Sequence, residues 1–260
     1  MIRALWTAAT GMEAQQLNQD VTANNLANIN TVGFKKARAD FQDLMYQIYS
    51  KSGAETSGGN QLPIGIEIGM GVKPVAVQKM FSQGDYQKTD NPFDFAIEGD
   101  GFFQLNAGDR TVYTRSGNFR LNKEGSLCNA EGLKVIPEIA VPAETVHFTM
   151  DSGGTWTATD TTGSVLASGR LEFAKFLNPA GLTSMGRNLY EITDGSGDAV
   201  TGAPGEEGMG TISQHFLEMS NVNVVDEMVK MIVGQRAYEI SSKAIQTADN
   251  MLQIVNNLKR

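Results

Sequence analysis

The sequence predicts an α+β protein: an N-terminal and a C-terminal helix that together form a coiled-coil layer, an antiparallel all-β middle domain, and an extended linker between them. Three observations carry that prediction. Residues 2–28 contain no proline and a single glycine, Gly11. Residues 224–258 repeat apolar side chains at alternating spacings of three and four. Between these ends the helix signals fade, and short alternating runs punctuated by glycine turns replace them.

In the first helix, Ile2, Leu5, Ala9 and Met12 follow one face, and the same register passes through Gln16 and Gln19 before returning to Ala23 and Leu26. Leu17 and Val21 lie alongside that stripe. A stripe interrupted by glutamines suits a helix that meets several neighbours better than one sealing a single core. Asn24, Asn25, Asn28 and Asn30 then crowd seven positions with weak helix formers, and Asn30 to Gly33 is expected to stop the helix, with Gly33 free to turn left-handed before Phe34.

The C-terminal repeat is stronger. Val224, Met231, Gly234, Tyr238, Ser241, Ile245, Ala248, Leu252 and Val255 hold the spacing, with Glu227 as its charged interruption. A second register of Ala237, Ile240, Ala244, Thr247, Met251, Ile254 and Leu258 runs beside the first, so one partner helix cannot cover the whole apolar face. Asn223 is a candidate N-cap, Asp226 and Glu227 suit the positive end of the helix dipole, and Lys259 with Arg260 suits the negative end. An intramolecular hairpin with the first helix is the competing explanation of the repeat; its single seam leaves the second register unexplained.

The expected domains are an N-terminal helix over 1–30 paired with a C-terminal helix over 222–260, a linker over 31–69, and a β domain over 70–221. Residues 50–62, "SKSGAETSGGNQL", are polar and linker-like. "DFAI", "GFFQL", "TVYTRS", "FRLN", "SLCN", "TVHFTM", "TWTATD" and "NLYEIT" read as strands of a meander, and no alternation of strands with long helices supports a parallel sheet.

Chemistry is sparse. Asp94, Glu98 and Asp100 sit about a glycine turn, where acids serve conformation. His147 and His215 fall in different segments without neighbouring ligands, Asp194, Ser196 and Asp198 begin a calcium-loop spacing that Ala199 and Gly205 break, and Ser116 lacks a nucleophile's glycine context. No catalytic residue, cofactor or metal is expected. The net charge of −8 provides no basic cluster for nucleic acid, and Lys35, Lys36 and Arg38 read as an exposed segment after a helix. Cys128 is the single cysteine; no apolar run reaches membrane-spanning length, and no cleaved signal peptide is expected at the start.

"ALWTAATGMEAQQLNQDVTANNLANINTVGFKKARADFQDLMYQ", "DFAIEGDGFFQL" and "SNVNVVDEMVKMIVGQRAYEISSKAIQTADNMLQ" resemble the rod and hook axial proteins of the bacterial flagellum across essentially the whole chain. The "ALWTAATGM" opening and the insert-like stretch from about Met45 to Gly65 are most similar to the distal-rod type. The resemblance implies a structural subunit that polymerises into a rigid helical tube, transmits motor torque to the hook and carries the export channel. It implies an inner coiled-coil layer of the terminal helices and an outer β layer. It implies export without a cleaved signal, a place in the periplasmic rod of the basal body, and as partners copies of itself, proximal rod proteins, hook protein, outer-ring bushing proteins and the rod cap. Subunit packing then falls to Leu5, Ala9, Met12, Leu17, Val21 and Leu26 on one helix and to both registers of the other. Stiffening between neighbours falls to Tyr46, Ile48, Tyr49, Leu62, Pro63 and Ile64. The joint motif, Asn24, Asn25, Asn28, Asn30, Gly33 and Phe34, is expected to place amide hydrogen bonds on neighbouring chains or on the linker. A hook or proximal rod subunit is the alternative within the group; a β-domain enzyme or sugar-binding module on a coiled-coil stem is the alternative outside it.

Overall fold

A computed structural model describes residues 2–51, 53, 63–206 and 208–258. Helix α1 spans Ile2–Ala27 and helix α2 spans Val224–Leu258, and the strands between them pair antiparallel. The chain divides into two compact units: residues up to 26, 37–78 and from 223 onward form the first, and 27–36 with 79–222 form the second. Of the expected linker, 31–36 thus goes with the β strands and 37–69 with the helices.

In the first unit α2 begins as its sequence dictates. Asn223 Oδ1 accepts from the N–H groups of Val225 and Asp226 at 3.0 and 3.4 Å, satisfying two donors that a helix start leaves without partners. Lys259 and Arg260, expected at the far end, and the side chain of Leu258 lie outside the described residues. Three positions among the described residues bring the helices together. Asn25 meets Glu227, a Cβ added to Gly234 would lie 3.4 Å from Gln19 Cγ, and one added to Gly11 would lie 3.6 Å from Ser241 Oγ. Numbers fall on α1 as they rise on α2, so the two run antiparallel. At both glycines an added Cβ would make only ordinary van der Waals contact, so the approach does not depend on them.

Burial on α1 within one chain follows a different face from the apolar stripe. Ala14, Thr22 and Asn25 are the buried positions, whereas Ala9 is exposed and Leu5, Met12, Leu17, Val21 and Leu26 are half-buried. The reason is that the helix packs on strands as well as on α2: Thr10 Oγ1 accepts from Val72 N at 3.5 Å beside Gly71. Small and polar residues fit such crowding. Strand Ala37–Asp43 pairs with Val72–Lys79, and Tyr46–Ser50 pairs with Ile66–Gly69 as a separate two-stranded arm in which Tyr46 lies opposite Gly69. Residues 66–79 form two strands with different partners, divided at Met70 and Gly71.

In the second unit a nine-stranded sheet has Phe102–Asn106 near its centre, between Thr111–Thr114 and Lys134–Ile136. Phe102, Phe103, Gln104 and Leu105 are all buried because both faces of that strand are covered, so the run "GFFQL" lacks the alternation of a half-exposed strand. Phe103 meets Phe119 and Phe173 edge-on, at ring distances of 5.1 and 5.4 Å. Trp156, in a three-stranded sheet of His147–Met150, Thr155–Thr159 and Val165–Arg170, stacks on Phe148 and joins the same core. On the other face Phe102, Tyr113, Phe176 and Tyr190 form a second cluster.

Candidate functional site

The asparagines at the end of α1 differ in role. Asn25 Nδ2 donates to Ala37 O and its Oδ1 accepts from Ala37 N, both at 2.8 Å, so one carboxamide reproduces the paired bonds that a neighbouring strand would make. Nδ2 also donates to Glu227 Oε2 at 3.2 Å, bringing helix, strand and second helix to a point. Asn25 and Glu227 are only 1% and 2% exposed. A carboxylate at position 25 could not donate, and a longer amide would displace the strand. Glu227, the charged interruption of the repeat, is thus buried against an amide donor, and Lys230 Nζ donates to its other oxygen at 2.6 Å. Asn28 Oδ1 accepts from Thr31 Oγ1, Asn24 and Asn30 are exposed, and Phe34 is buried in the second unit. Gly33 takes φ +70°, the left-handed stop expected of it.

Two residues beyond that glycine the sequence reading fails. Lys35, expected to be exposed, is fully buried, with Nζ donating to Glu218 Oε1 at 2.6 Å and to Ser82 O at 2.8 Å. Glu218 in turn is held by Arg115, whose Nε donates to Oε2 at 2.6 Å, and by the Gly84 N–H. The Arg115 guanidinium also donates to the carbonyls of Ile97, Gly99 and Gly101, so its plane is fixed. Burial alone would raise the Glu218 carboxyl, but the charges of Arg115 and Lys35 and their hydrogen bonds outweigh it and hold it below its ordinary value. Burial lowers Lys35, against the opposing pull of Glu218, and pushes Tyr86 up to about 12 with the Glu218 charge assisting. Removing one partner from such a buried cluster costs about 3–5 kcal/mol, although the cluster itself adds little over apolar packing.

Backbone bonds run beside the ions. Gly33 N donates to Glu218 O at 2.8 Å, Asn221 Oδ1 accepts from Lys36 N at 2.8 Å, and Asn188 Nδ2 donates to Val32 O at 2.9 Å. Asn221 Nδ2 donates to Met80 O and Ser82 O. The sequence signal for this site is a lone acid, Glu218, set between Leu217 and Met219 and followed by "SNVN"; it points to no partner until the fold brings Lys35 beside it.

Away from these contacts the first unit leaves apolar side chains in solvent. On α2 the first register is turned inward: Gly234 and Ala248 are buried, Met231, Ser241, Ile245 and Leu252 half-buried, and Tyr238 and Val255 exposed. The opposite side carries Val225, Val229, Ile232, Ile240 and Ile254, each more than half exposed, with Ile240 at 68%; Met251 of the second register is exposed beside them. The arm adds Tyr46, Ile48, Tyr49 and Ile64, exposed like Pro63 at its edge, and the Arg3 guanidinium lies 4.9 Å from the Tyr49 ring. Leu62 lies outside the described residues.

The candidate chemistry disperses. Asp94 Oδ1 accepts from Asn91, Asp100 faces Lys175 at 3.7 Å, Ser116 Oγ donates to Asn118, and residues 194–196 form a turn. His147 and His215, separate in sequence, line one cleft of about 810 Å³ floored by Phe93 and Phe148. Among the described residues no group of three or more His, Cys, Asp and Glu is placed to hold a metal ion, and no described helix is long and apolar enough to cross a membrane.

Three family descriptions match the chain: "Flagella basal body rod protein" over residues 5–35, "Flagellar hook protein FlgE/F/G D1 domain" over 96–158, and "Flagellar basal body rod FlgEFG protein C-terminal" over 213–258. The first contains the asparagines and Lys35, and the third contains Glu218 and α2. The sequence is 49% identical over 264 residues to the flagellar basal-body rod protein FlgG of Borreliella burgdorferi, with 100% of both chains covered. It is 44% identical over 261 residues to the FlgG of Caulobacter vibrioides, covering 99% of this chain and 100% of that one. Against the FlgG of Bacillus subtilis the identity is 38% over 268 residues, with 100% of both covered.

Proposed function

The chain belongs to the FlgG family of flagellar basal-body rod proteins, a structural family and not an enzyme, and from that premise we propose how its parts serve a subunit of the distal rod. The two helices supply a coiled-coil layer in the polymer, α1 and the inward register of α2 packing within one subunit and the outward register packing on neighbouring copies. A head-to-tail interface of this kind repeats into an open helical tube. Many simultaneous contacts then resist shear, which is what passing motor torque to the hook requires, and the tube encloses the export channel. The arm around Tyr46, Ile48 and Ile64 stiffens the tube by lying against adjacent subunits, and the joint motif holds helix to strand. Proximal rod proteins, hook protein, the outer-ring bushing and the rod cap are the further partners, and the subunit reaches the periplasmic rod by export without a cleaved signal peptide.

One observation supports this most: a 35-residue helix that leaves Val225, Val229, Ile232, Ile240 and Ile254 more than half exposed on the side away from its buried register. Burying that side removes hydrocarbon from water at about 25 cal/mol per Å², and a neighbouring copy supplies the cover. The test is assembly of the purified full-length chain, concentrated and imaged. The unaltered protein is expected to form straight tubes, and the Ile240→Asp, Ile254→Asp variant is expected to keep its helical ellipticity but to form none. Tubes from that variant at the wild-type concentration would refute the proposal.

A further inference from the structure

We propose that the Lys35–Glu218–Arg115 cluster is a charge latch that pins the roots of the two helices together before the helices pair, making Lys35 and Glu218 positioning residues for assembly. The proposal rests on reading the chain as a polymer subunit and adds what prepares it. Along the chain, Ala27 at the end of α1 and Val224 at the start of α2 are separated by nearly the entire β-rich sequence. The bond from Gly33 N to Glu218 O at 2.8 Å and the Lys35–Glu218 ion pair at 2.6 Å make these two chain positions adjacent. With the Phe216–Glu218 strand already paired to Tyr86–Lys88, the free path from one helix to the other shrinks from roughly 65 residues to about a dozen, and closure weights that scale as length to the power −3/2 raise the effective concentration of one helix at the other by roughly 10-fold.

Charge gives the latch its register. Glu218 Oε1 accepts from Lys35 and Gly84, while Oε2 accepts from an Arg115 already fixed by three backbone carbonyls. Sliding the 33–36 segment by one residue would move Lys35 out of reach and leave an ammonium buried without its carboxylate. Backbone bonds alone tolerate such a slip; the ions do not. Every contact named here lies within the second unit, so the latch closes whether or not the helices have folded.

The experiment uses the full-length chain in two measurements. Amide hydrogen exchange on the dilute monomer is expected to show Gly33 and Lys36 as protected as Phe103 in the sheet. In Glu218→Gln, Trp156 should still report cooperative unfolding, those two amides should open by at least 100-fold, and the concentration at which filaments first sediment should rise by 10-fold or more. Lys35→Met, which keeps the Arg115–Glu218 pair, serves if Glu218→Gln does not fold, with the same expectations. Wild-type Gly33 and Lys36 amides exchanging as fast as helix ends would overturn the latch, as would a folded variant with open latch amides that assembles at the wild-type concentration. Because the exchange measurement reads the monomer, it decides whether the latch is preformed even if the wild-type chain forms no filaments, an outcome that would count against the subunit reading instead.

Discussion

Gly33→Ala separates two reasons for glycine at the end of α1. Its φ of +70° costs an alanine about 1 kcal/mol in the left-handed region. Its Cβ would also stand 2.6 Å from Ser116 N, 2.7 Å from Ser116 Cα and 2.8 Å from Arg115 C, all backbone atoms. That backbone cannot retreat easily, because the Arg115 side chain is tied to Glu218 and to three carbonyls. Forcing extra volume against fixed neighbours costs about 1–3 kcal/mol, so the expected total is about 2–4 kcal/mol. For a unit of roughly 150 residues this lowers the unfolding temperature by about 10 °C. Gly132→Ala is the control: φ is +84° and no atom lies within 4 Å of the added Cβ, so about 1 kcal/mol is expected. Any stabilisation from a stiffer unfolded chain is common to both and cancels. Urea unfolding followed by Trp156 fluorescence in a Trp6→Phe background reads the β-rich unit alone. Equal losses for the two alanines would refute the close-approach argument and leave only the backbone conformation.

The joint and the latch make further demands. Asn25→Ala should cost the first unit about 2–3 kcal/mol by leaving Ala37 and Glu227 short of partners. Asn25→Asp should cost more, because its carboxylate would face that of Glu227, and Glu227→Gln should recover part of the loss; helical ellipticity in urea measures all three, and an Asn25→Asp variant as stable as wild type at pH 7 would contradict the bonding described. Since the folded Glu218 carboxyl lies below its ordinary value near 4.5, its contribution is complete above that pH and is lost as pH falls through the folded value. Urea midpoints measured from pH 7 down to pH 3 should therefore show an acid loss in wild type that is smaller in Glu218→Gln, and parallel profiles would refute the assignment.

Much of the architecture was legible because it is local. The helix lengths, the Asn223 cap, the left-handed stop at Gly33 and most of the strands follow from spacing, turn residues and capping chemistry, which act within a few positions. The linker was harder. Strand Ala37–Asp43 finds its partner at Val72–Lys79, and neither carries a pattern that names the other. The histidines looked unrelated and share a cleft for the same reason. Lys35 was misread because charge next to charge after a helix usually means solvent, whereas its partner lies 183 positions away.

The sequence by itself determined that two long helices flank an antiparallel β region, and that α2 has more apolar surface than one partner can cover. It also marked the chain as a flagellar axial protein through its terminal motifs. Only the tertiary structure decided which register of α2 turns inward, that α1 is buried along small and polar residues, and that Asn25 bonds within its own chain to a strand and to α2. Periodicity and capping depend on neighbours a few bonds apart and are written in the order of residues. The choice of a partner across the chain depends on where folding brings a charge or an amide, and a spacing pattern carries no record of that.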